Sequence, residues 1–142
     1  MIRRIQTVYL TLAVAALVVL VFNGIMHAGA ADATVGTFVR PAIFVVTGLA
    51  AVMVIASILL FKDRIRQRRA IIVAQLTLLT LMVVLYGGLY ASDALYVRTT
   101  VGVDVGRLIG ISMPLVAYVC CLLARRAVTR DIELIRSMDR LR

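Results

Sequence analysis

Residues 70–92 read AIIVAQLTLLTLMVVLYGGLYAS, a run without a single Asp, Glu, Lys or Arg. A helix on the surface of a soluble core carries a polar face at regular intervals, and this run has none. A barrel strand alternates apolar and polar residues, and this run is continuously apolar. About 17–25 mainly apolar residues cross the hydrocarbon core as a helix, so the stretch predicts a transmembrane helix. Three further charge-free runs surround it: Ile5 to Ala31, Pro41 to Phe61 and Leu108 to Ala124. The predicted architecture is therefore all-α: a four-helix transmembrane bundle with helices near 7–27, 41–61, 70–90 and 108–125. The 142 residues form a single membrane domain closed by a tail, 126–142.

Composition agrees. The apolar fraction is 63% and the mean hydropathy is +1.03. About half the residues of an ordinary soluble domain are apolar, so the bilayer is the solvent this composition suits. The start, MIRR followed by an apolar run and Ala28-Gly29-Ala30, imitates a secretory signal peptide. The run from Val8 to Met26 exceeds the usual apolar region of such peptides, so it is read as a retained first span.

Charge sets the expected orientation. Thirteen of the sixteen basic residues fall on the side of the N-terminus, the 62–69 loop and the tail, against four acidic ones, a net +9. The opposite side carries Arg40, Arg98 and Arg107 against Asp32, Asp93 and Asp104, a net zero. Basic residues near short loops stay cytoplasmic, so both termini are expected inside a bacterial inner membrane. The loop residues Lys62, Arg64, Arg66, Arg68 and Arg69 are expected to meet anionic lipid headgroups. These cations flank helix ends without aromatic interleaving, so nucleic acid is not an expected partner.

Pro41 is expected to open the second helix, where its missing N–H costs nothing. Gly102, Gly106 and Gly110, spaced at four, are expected to form a close-packing face at the start of the fourth helix. Pro114 is expected to kink it. The Thr- and Val-containing loop before it permits a short extended piece. Tyr86, Tyr90 and Tyr96 suggest an aromatic girdle at the outer interface.

Catalytic chemistry is not apparent. No acidic or basic residue lies deep in any span, which argues against an ion-coupled transporter. The one histidine, His27, cannot build a metal or haem site alone. Cys120 and Cys121 are adjacent on a helix and point about 100° apart, which fits apolar filling rather than a redox pair. No catalytic, metal or cofactor-binding residue is expected, and a bound lipid is compatible with the sequence. In the tail, Val128, Ile132, Ile135 and Met138 recur at intervals of three and four and predict an amphipathic cytoplasmic helix. Such a helix is marginal alone in water and needs a surface, either the leaflet or another integral membrane protein. Its docking residues would be Ile132, Ile135, Met138, Arg136 and Arg140.

The opening MIRRIQTVYL (1–10), the middle LLFKDRIRQRR (59–69) and the end DIELIRSMDRLR (131–142) together resemble a family of small four-helix membrane proteins. That family occurs chiefly in the Bacteroidetes lineage and is catalogued as a domain of unknown function. The resemblance spans the chain, and the end motif is its most specific part. Arg3 stands where Gln is expected, Met138 where a small residue is expected, and lysine is sparse around Thr129–Asp131. The resemblance implies a bacterial inner-membrane location and brings no activity or catalytic residue. The expected role is a non-enzymatic accessory or structural subunit that packs against larger membrane proteins and docks through its tail. The alternatives are a small oligomeric transporter or channel, using Asn23, Gln75, Thr77 and Thr80, and a membrane redox or lipid-handling enzyme.

Overall fold

A computed structural model describes residues 2–24, 33–60, 63–91, 98–99, 102–103 and 105–139. The chain forms α1 (Ile2–Val19), extended by a π-helical turn (Leu20–Gly24), then α2 (Ala33–Leu59) and α3 (Arg64–Ala91). A two-residue antiparallel pair follows, β1 (Arg98–Thr99) with β2 (Gly102–Val103), and then α4 (Val105–Asp139). All four helices are long and apolar enough to cross a membrane. Within their spans only 28–33% of residues are buried inside the chain. The rest, including Val45, Val52, Leu76 and Val83, form an apolar exterior suited to lipid or to another membrane protein.

The helices pack as a ring. α1 lies against α4 and α2 against α3 most extensively, α3 against α4 less so, and α1 against α2 less again. The buried positions have one period. They include 6, 10, 13 and 17 on α1, with Ala16 beside them and 20 in the π-helical turn that extends it, and are 43, 47, 50, 54 and 57 on α2. On α3 they include 67, 71, 74, 78, 81 and 85, and on α4 they are 110, 114, 117, 121, 124 and 128. Steps of four and three repeat in every helix. That heptad spacing keeps one seam of each helix facing its neighbours at a shallow crossing angle. Small residues in the seam, such as Ala13, Ala50, Ala74, Ala117 and Ala124, allow the close backbone approach on which helix packing in lipid depends.

Several sequence expectations need correction. Pro41 lies inside α2, which begins at Ala33. In hydrocarbon an unpaired backbone group costs several kcal/mol, so extending the helix outweighs the one bond a proline removes. Gly102 is in β2, paired with Thr99, and not on a helix with Gly106 and Gly110. Glycine weakens a helix, and the neighbouring Thr and Val favour an extended backbone. Only Gly110, buried, and Gly106, half-buried, contribute to the first turns of α4. Pro114 does lie inside its helix as the sequence placed it, buried within α4, which continues through it. The tail is not a separate helix, since α4 runs unbroken from the span to Asp139. At 35 residues it is about 52 Å long, well beyond the roughly 30 Å hydrocarbon thickness.

Tyr86 is an interhelical tie rather than a girdle ring. It is half-buried, and its hydroxyl donates to the Ile111 carbonyl at 2.8 Å, three residues before Pro114. Tyr90 is exposed, and Tyr96 lies outside the described residues. Tyr86→Phe will remove the tie and keep the ring. It is expected to lower stability in detergent by about 1 kcal/mol, as a reduced unfolding midpoint.

Candidate functional site at the charged end of the bundle

The start of α3 is set by Asp63. Its Oδ1 accepts from the Arg66 backbone N–H at 3.2 Å, the helix-capping bond that short acidic side chains make best. Its Oδ2 also pairs with Arg66 Nε at 3.0 Å. The Asp63 N–H donates to the Leu60 carbonyl at 3.2 Å, so α2 turns tightly into α3. Cap and turn present Arg64 to the last turns of α4.

Arg64 meets Asp131 there. The guanidinium Nη1 lies 2.8 Å from Asp131 Oδ2 and donates to the Asp131 carbonyl at 3.4 Å. Both side chains are largely covered, at 24% and 13% exposure. The two positions continue the heptad seams, 64 before 67 on α3 and 131 after 128 on α4. The ion pair therefore occupies the slot that an apolar pair would fill inside the membrane. About two to three turns deeper, Arg125 Nη1 donates to Gln75 Oε1 at 3.3 Å. Gln75 is buried, and its Nε2 has no partner among the described residues.

The apolar stripe of the tail divides here. Val128 is fully buried and Ile132 packs against the core, so the first surface the tail meets is the bundle of the same chain. Ile135 is 38% exposed and Leu134 51%. Ile135, Ile132 and Ile65 line one open groove of about 470 Å³, with Asp63 and Arg64 at its edge. The side chains of Arg136 and Met138, and Arg140 entirely, lie outside the described residues, as does Lys62. Arg66, Arg68 and Arg69 are exposed. A second recess, of about 490 Å³, lies between α3 and α4. It is lined by Arg68, Arg125, Arg126 and Arg130, with Leu122 at one end and Glu133 at the other.

The polar residues of the spans do not converge. Gln75 is buried, Thr77 half-buried and Thr80 exposed. Thr77 and Thr80 donate back to their own helix, to the Val73 and Leu76 carbonyls. The side chain of Asn23 and all of His27 lie outside the described residues. Cys121 is buried and Cys120 half-buried, and both are free thiols. Sequence reasoning missed the Arg64–Asp131 pair and the seam that holds it. The signal was present: both residues fall on the three–four repeat of their helices, but that repeat was read among apolar tail residues and glycines and not carried through charged positions.

The chain belongs to the family described as Domain of unknown function (DUF4293), whose model matches residues 2–141. No curated protein and no solved structure matches it.

Arg64→Ala and Asp131→Ala, measured singly and together, are expected to show a coupling energy of about 1 kcal/mol. Additive losses in the unfolding midpoints would mean that the pair contributes nothing.

Proposed function

For this member of that family, we propose a non-enzymatic accessory subunit of the bacterial inner membrane, with both termini cytoplasmic. It packs against a larger integral membrane protein and docks through the end of α4. Ile135 carries this reading. It is the next seam position after Asp131, yet α3 begins at Arg64, opposite Asp131, so no further turn of α3 faces it. On the reading that α4 leaves the hydrocarbon near Arg125, it stands ten residues, about 15 Å of helix, beyond that point. An apolar groove past the headgroup level cannot be covered by acyl chains, whereas a partner helix laid into it continues the heptad packing. Ile65, 61% exposed, is on the opposite wall of the same groove.

The orientation rests on the distribution of arginine, and the lineage on the family signature. A polar pathway through the bundle has less support. Thr77 and Thr80 bond their own backbone and lie on different sides of α3 from Gln75, which leaves no shared polar lining.

A photoreactive residue replacing Ile135 is expected to crosslink a second polypeptide after gentle extraction. Ile65→Asp is expected to abolish the adduct while leaving the bundle folded. A chain that migrates alone and yields no adduct counts against docking. Point substitution is preferable to deleting 129–142, which would also remove Asp131 and Ile132 from their contacts with the bundle. In a background lacking Cys120 and Cys121, a cysteine at position 137 is expected to resist a membrane-impermeant maleimide in intact cells. One at position 93 is expected to react. The reverse pattern would invert the topology.

A further inference from the structure

We propose that the recess between α3 and α4 is a specific site for one anionic glycerophospholipid, its phosphodiester held by Arg126 and Arg130 with support from Arg68 and Arg125. The site is separate from the Ile135 groove and does not depend on a protein partner.

Charge is the first reason. Four arginines against one glutamate give the lining a formal +3. The nearby carboxylates of Asp63 and Asp131 are already engaged, by Arg66 and Arg64. Among the described residues no carboxylate lies within ion-pair distance of the four lining arginines. Arg130 and Glu133, three residues apart on one face, are also unpaired with each other. Cations gathered this closely repel unless an anion sits between them. A phosphodiester matches the guanidinium fork, which can grip two of its oxygens at once.

Shape and level are the second reason. On α4, Leu115, Val119, Leu122, Arg126 and Arg130 recur at steps of four, three, four and four. They form one continuous stripe, with Glu133 at its end. Leu115 and Val119 are each about half exposed and lie within the span, which begins at Leu108. From Leu115 to Arg126 the stripe runs about 16 Å, a length comparable to an acyl chain. Its apolar part leads directly into the recess at Leu122. A soluble phosphate would use the arginines alone, whereas a lipid uses the whole stripe. Arg125 is fixed by its bond to Gln75, so part of the site is preformed. Glu133, at the far end, can accept from the hydroxyls of a polyol headgroup such as glycerol.

The test uses the purified full chain in detergent, titrated with phosphatidylglycerol, phosphatidylcholine or inorganic phosphate. The readouts are the unfolding midpoint and the lipid retained in native mass spectrometry. Phosphatidylglycerol is expected to raise the midpoint saturably and to be retained at one copy per chain, with little effect from the other two. The double variant Arg126→Gln/Arg130→Gln is expected to weaken the half-saturation point at least tenfold. Arg66→Gln/Arg69→Gln removes the same charge outside the recess and is expected to stay within about twofold of the wild type. Glu133→Gln removes the one opposing charge at an exposed, unpaired position, so the fold is spared. It is expected to tighten binding of a purely phosphate-bearing lipid such as phosphatidic acid. Equal stabilisation by phosphatidylcholine, equal loss in both double variants, weaker phosphatidic acid binding by Glu133→Gln, or full protection by millimolar inorganic phosphate would each overturn the proposal. The last result would make the recess a site for free phosphate.

Discussion

Hydrocarbon offers no hydrogen-bond partner, and the rest of this structure depends on that constraint. Each backbone N–H and C=O within the membrane must be satisfied inside its own segment. Helices that stop or start in the apolar layer are therefore penalised far more than helices that tolerate a defect. Pro41 and Pro114 both sit inside helices for this reason, although in water either would mark a boundary. The same constraint explains why Thr77, Thr80 and Ser57 turn their hydroxyls back onto carbonyls of their own helices. With local bonds settled, what remains to hold the bundle together is close packing along the heptad seams.

At the charged end the solvent changes and the seam changes with it. The buried α3–α4 seam is apolar at Leu81, Leu78, Ala117 and Cys121. It then passes through Gln75 with Arg125, and closes on Arg64 with Asp131. Polarity rises as the headgroup region is approached, where water can share the cost of burying charge. Past that closure α4 continues beyond the first turn of α3, so the seam position at Ile135 stays 38% exposed in an open groove with Ile65. On the neighbouring stripe of α4 the arginines stay unpaired and line a recess. One helix thus leaves two unsatisfied surfaces of different chemistry, one apolar beyond the collar and one basic at the collar.

Much of the fold was legible in the residues. Four charge-free runs mark four spans because length and hydropathy alone decide whether a segment can sit in hydrocarbon. The Thr- and Val-containing loop hinted at the short strand pair. Helix ends were less legible. Pro41 was misplaced because rules learned in water price a broken helix too cheaply within a bilayer, and Gly102 because a spacing of four does not by itself show where a helix begins. The candidate site was legible only as composition: arginines crowd residues 62–69 and 125–142, but nothing local says which of them face one another. Tyr86 shows the same limit, since an aromatic ring near a span end looks interfacial until its partner on another helix is known.

By itself the sequence determined the number of helices apolar enough to cross a membrane and the end at which the charge gathers, because each depends on the content of single segments. Only the tertiary structure decided that Asp131 belongs to Arg64, that Val128 is covered by the chain itself, and that Ile135 is not. Those outcomes depend on where α3 begins relative to α4, a relation between segments 67 residues apart. Helix length, turn geometry at Asp63 and seam register set that relation jointly. No stretch of sequence contains all three.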